Sequence, residues 1–140
     1  MLLSEAEVQR CLTLVERAFP RFNQWEFVNE PDESYSGFCV WGRYQANPDS
    51  SSPGFFVTFC SSRNRWTGHL TVGKHCYYWS SADVGDAHLL GTDACSTIEE
   101  SIVALKRSIQ DLATAFLGPC DDTGVARTAA DGPLGPKNEA

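Results

Sequence analysis

A chain of 140 residues with 42% hydrophobic and 21% charged residues holds material for one core, well away from the polar, highly charged composition of disordered chains. Its 18 acidic residues against 11 basic ones, a formal net charge of -7, exclude a nucleic-acid backbone as the natural partner, because phosphate binding draws on clustered Lys and Arg. No apolar run approaches the roughly 18 residues of a membrane span, so the expectation is a cytoplasmic protein with no membrane association.

Ser4-Glu5-Ala6-Glu7 matches the capping-box pattern, in which a Ser hydroxyl and a Glu three residues later each satisfy an orphan amide of the first helical turn. Val8, Cys11, Leu12, Val15, Ala18 and Phe19 follow at helical spacing, and Pro20 ends the run. Strand signals rich in aromatic and β-branched residues then cover 24–29, 37–45, 54–60, 65–72, 75–80 and 87–90, with the polar, Pro-containing stretch 46–53 as a loop. A second capping box, Thr97-Ile98-Glu99-Glu100, opens a helix carrying Ile98, Ile102, Leu105, Ile109, Leu112 and Phe116 on one stripe, closed by Gly118-Pro119. Successive strands without intervening helices predict an α+β fold, an antiparallel meander of about five or six strands packed by an N-terminal and a C-terminal amphipathic helix. One domain is expected over 1–118, followed by a flexible tail over 119–140 whose Gly, Pro, Ala and Asp mixture has no apolar period.

The stretch His75-Cys76-Tyr77-Tyr78-Trp79 raises the question of a reaction centre. Gly73-Lys74 reads as a two-residue hairpin turn, which would place Val72 opposite His75 and His69 opposite Tyr78. Strand alternation then puts Leu70, Val72, His75, Tyr77 and Trp79 on one face, toward the helices. His69, Thr71, Cys76 and Tyr78 share the other, left open to solvent or to a partner. On that register His75 and Cys76 point apart, and only Cys76 with His69 remains as a candidate nucleophile and base.

Other chemistry finds little support. His69, His75, Cys76, His88 and Cys95 lack the paired spacing of a zinc site, and the register spreads them over both faces; no metal and no cofactor are expected. Asp83-Val84-Gly85-Asp86 reads as a turn, since a calcium loop needs alternating acidic ligands and a distal Glu. Gly-rich phosphate loops and the G-x-S-x-G elbow are absent. The six cysteines contain no C-x-x-C pair and read as thiols.

Acidic residues concentrate in two places: Glu26, Glu30, Asp32 and Glu33, and then Asp83, Asp86, Asp93, Glu99 and Glu100, with no Lys or Arg between His75 and Leu105. An aromatic face with an acidic rim has the composition of a protein interface. The expected function is a non-enzymatic interaction module of the acidic immunity or inhibitor type, a monomer or homodimer that binds and neutralises a basic protein such as a toxin. Trp41, His69 and Tyr78 are the expected face contacts, and Asp83, Asp86 and Asp93 the charge contacts. The alternatives are an acidic chaperone or adaptor for an exported protein, dimerising through Ile102, Leu105 and Ile109, and a small thiol-dependent hydrolase built on Cys76 and His69.

Overall fold

The computed structural model describes residues 3–31, 36–45, 54–77 and 87–118. In chain order these form α1 (Glu5–Ala18), β1 (Asn23–Pro31), β2 (Ser36–Tyr44), β3 (Gly54–Ser62), β4 (Arg65–Gly73), β5 (Ala87–Gly91) and α2 (Ile98–Leu117). The strands make one antiparallel sheet in the order β1-β2-β3-β4-β5, the meander that uninterrupted strand patterns predict.

Each helix opens on a hydroxyl cap, but only α1 completes the expected capping box. The Glu7 amide donates to the Ser4 hydroxyl at 3.2 Å while the Ser4 amide donates to the Glu7 carboxylate at 2.9 Å. The Ser4 amide, and secondarily the Ser4 hydroxyl, hold the Glu7 carboxyl below its ordinary range. At α2 the Glu100 amide donates to the Thr97 hydroxyl at 3.1 Å, but the Glu100 carboxylate accepts from Ser96 rather than from Thr97. Arg10 of α1 and Glu99 of α2 form an ion pair. Both side chains are largely in solvent, so it adds little to stability.

Alternation along the strands gives the sheet two distinct faces. Phe38 and Val40 of β2, Val57 and Phe59 of β3, and Leu70 of β4 share the face on which α1 and the start of α2 lie. There Phe19, just past α1, packs against Phe59 with ring centroids 6.0 Å apart, and the Lys106 ammonium of α2 stands over the Phe19 ring. Val8, Cys11 and Val15 of α1 and Ile98, Ile102 and Leu105 of α2 are all buried.

The opposite face carries Cys39 and Trp41 of β2, Phe56, Thr58 and Cys60 of β3, and His69 and Thr71 of β4. All of these are buried as well. This overturns the expectation that the second face is open, and the cause lies at Gly73. No two-residue hairpin forms there: β4 pairs with β5, placing Val72 opposite Ala87 and Thr71 opposite His88. Residues 75–77 are not a strand. Gly73 takes φ 141°, a conformation that L side chains rarely adopt, as the chain leaves the end of β4. Residues 74–77 then cross the second face, where Cys76 is buried and the Tyr77 amide donates to Thr58 Oγ1.

Contacts between Cα atoms divide the chain into a unit over Met1–Lys106, with α1, the sheet and the start of α2, and a unit over Arg107–Ala140, with the rest of α2. In the second, Phe116 and Leu117 are exposed. The expected loop over 46–53, the tail over 119–140 and the strand positions 78–80 lie outside the described residues. Among the described residues no helix is long and apolar enough to cross a membrane.

Candidate functional site

The chemistry-bearing side chains that the fold brings together stand where β4, β5 and residues 74–77 meet. The pairing of β5 with β4 shifts register between Leu70 and Thr71: Thr71 faces His88 and Leu70 faces Leu90, leaving Leu89 as the extra residue of a bulge. Leu89 is pushed outward and exposed. His88 is placed on the same face as His69, and His69 itself faces Gly91. The absence of a side chain at Gly91 matters, because a Cβ there would come within 3.1 Å of His88 Cε1 and 3.4 Å of His69 Nδ1. The two imidazoles meet in that space.

His69 Nδ1 and His88 Nε2 are hydrogen-bonded at 3.1 Å, and His69 Nε2 bonds Thr67 Oγ1 at 3.0 Å. Two neutral tautomeric arrangements satisfy both bonds. The Tyr77 ring lies flat on His69, with centroids 3.7 Å apart and planes 5° from parallel, and is tilted by 48° to the His88 ring at a centroid distance of 5.0 Å. Burial, and secondarily the charge of His88, push His69 down to about 4. At neutral pH it is an uncharged ring fixed on three sides, carrying an exposed Tyr77 and an exposed His88.

Alternation about a Gly73 hairpin would spread these residues over both faces. The structure instead places His69, Tyr77 and His88 on one. Trp41 and His69, expected as face contacts, are each only 8% exposed. Trp41 belongs to a buried cluster with Cys39, Phe56, Cys60 and Cys76, and His69 acts as the floor of the ring stack. Tyr78, Asp83 and Asp86 lie outside the described residues. Asp93 is exposed in the segment after β5.

The nucleophile and base pairing also looks different in three dimensions. Both ring nitrogens of His69 are bonded to His88 and Thr67, while Cys76 is enclosed at 1% exposure in the apolar cluster. No group of three or more His, Cys, Asp and Glu side chains converges to hold a metal among the described residues. Concavities among the described residues include a larger and a smaller one. One, of about 580 Å³, lies between the starts of α1 and α2 and includes Arg10, Cys11 and Trp66. The other, of about 220 Å³, lies beside Cys76 and is walled by Trp41, Arg43 and Phe56.

No protein-family model, curated protein or solved structure matches the chain.

Proposed function

We propose that the chain is a non-enzymatic interaction module of the acidic immunity or inhibitor type, binding a basic protein partner through the β5 edge and the acidic segment that follows. The observation that supports this is the ring stack: Tyr77 is 37% exposed yet seated flat against the buried His69. A rigid, amphipathic ring that loses little freedom on binding is the type of group that anchors protein interfaces. Leu89, 43% exposed on the bulge, adds apolar surface to the same edge.

Electrostatics favour a basic counterpart. From Ala87 to Leu105 the only Asp, Glu, Lys or Arg residues are Asp93, Glu99 and Glu100, in a chain of net charge -7. Such a surface speeds capture of a positively charged protein. The dimerising-adaptor alternative gains no comparable support, since Ile102 and Leu105 are buried within the first unit rather than left for a second copy.

The test is capture of partners from an extract of the native host, identified by mass spectrometry and repeated with purified components. Tyr77→Ala is expected to weaken the complex at least tenfold while the variant still unfolds in one cooperative transition. Equal binding by wild type and Tyr77→Ala would remove the ring stack from the interface.

A further inference from the structure

Cys39 of β2 and Cys60 of β3 are directly opposed in the register of the sheet. Their sulfur atoms are 2.9 Å apart. Opposed residues of antiparallel strands have Cα atoms roughly 4.5 or 5.5 Å apart, and a disulfide spans about 4.4–6.8 Å between Cα atoms, so the backbone already stands at bridging distance. Two further features set this pair apart from the other cysteines. It lies on regular strands in the middle of the sheet, fixed by neighbouring pairs on either side. It also belongs to the buried cluster that contains Cys76, a third thiol on the irregular segment 74–77.

We infer that Cys39 and Cys60 form a reversible cross-strand disulfide, taking a low-molecular-weight disulfide of the glutathione type as electron acceptor, while Cys76 remains a thiol. Both sulfurs are enclosed, Cys39 at 0% and Cys60 at 1% exposure, so reaction proceeds through local opening of the buried cluster that holds them. Cys76 of the same cluster sits on the irregular segment that leaves β4 at Gly73. On opening, the thiolate of one cysteine attacks a sulfur of the small disulfide, the small S–S bond breaks, and one small thiolate leaves and takes up a proton. The thiolate of the second cysteine then attacks the protein sulfur of the mixed disulfide, forming the Cys39–Cys60 bond and expelling the second small thiolate. The protein gives up two electrons and two protons; the small disulfide becomes two thiols. The second attack is favoured between Cys39 and Cys60 because the strands hold these sulfurs in contact, which gives the pair a high effective concentration on reclosure.

The test uses the full chain in buffers of graded oxidised to reduced glutathione, quenched with acid, denatured, alkylated and mapped by peptide mass spectrometry. Cys39 and Cys60 are expected to lose alkylation together and to appear in one linked peptide pair, with Cys76 alkylated throughout and dithiothreitol restoring both thiols. The oxidised form is expected to unfold roughly 10 °C above the reduced form, since the bond closes a loop of about twenty residues. Cys60→Ala removes the linked pair and the rise in midpoint; if that variant does not fold, the wild-type map decides alone. Retention of both thiols at the most oxidising ratio, a link through Cys76, or a stable glutathione adduct on Cys39 or Cys60 would each overturn the inference.

Discussion

His69 shows how one buried side chain couples the site to pH. With its folded value near 4 and the ordinary imidazole value at 6.5, the unfolded chain takes up a proton as pH falls through the upper figure, while the folded chain resists until the lower one. Stability from this residue is therefore present above pH 6.5 and is lost progressively between about pH 6.5 and 4, by up to about 3 kcal/mol. Urea titrations of wild type and His69→Gln at pH 7 and pH 5 isolate the effect from the carboxylates, which both chains share. Gln can still bond Thr67, so the variant is expected to lose less stability than wild type over that interval; equal losses would show that His69 is not held neutral by its surroundings. Gly91 is the second informative residue. An alanine methyl would meet the two rings at 3.1–3.4 Å, and the exposed His88 is the side chain with room to yield. Gly91→Ala is expected to separate the rings at a cost of about 1 kcal/mol, visible in NMR as loss of the through-space contact between the His69 and His88 rings.

At the scale of elements, the connections decide what the strands can do. β3 and β4 are joined through Arg63 and Asn64, both left-handed at φ 54° and 62°, the backbone of a type I′ hairpin. Arg fits that conformation poorly. An Asn-Gly dipeptide suits it best, so the double variant Arg63→Asn with Asn64→Gly is expected to raise stability by about 1 kcal/mol in denaturant titration. The connection after Gly73 works in the opposite sense. Gly73→Val forces a branched side chain into φ 141° and is expected to cost about 1–3 kcal/mol. It should also loosen residues 74–77, so that Cys76 alkylates faster in the native variant than in wild type. The two helices and five strands were legible because capping boxes, apolar stripes and alternation are local signals. The expectation failed over 75–77 because alternating aromatics from Tyr77 onward read as a strand in the sequence, while a glycine before a turn does not reveal whether the chain returns in the sheet or crosses over it. With the wrong partner for β4, the contact of His69 with His88 could not be seen. One trace was present: consecutive Leu89 and Leu90 break strict alternation in Ala87–Gly91, as a bulge does.

For the molecule as a whole, burial of both faces of the central strands β2–β4 redirects recognition from the middle of the sheet to the edge and its acidic flank. The central residues Trp41, Thr58 and Thr71 are enclosed, and truncating them would change stability before it changed binding. Charge acts at longer range. A chain of net charge -7 attracts a basic protein before any contact forms, and Asp93 is an exposed carboxylate at the flank of the ring stack's strand. Asp93→Lys alters the net charge by two units and introduces local repulsion without touching the stack. It is expected to slow association with the basic partner several-fold at low ionic strength while leaving dissociation nearly unchanged, and the difference should shrink as salt screens the field over about 10 Å at 0.1 M. Tyr77→Ala is expected to do the reverse, raising the dissociation rate with little change in association. Surface plasmon resonance across a salt series separates the two effects. A change confined to dissociation for Asp93→Lys would place that carboxylate inside the contact rather than in the steering field, and no change in either rate would move the interface away from β5.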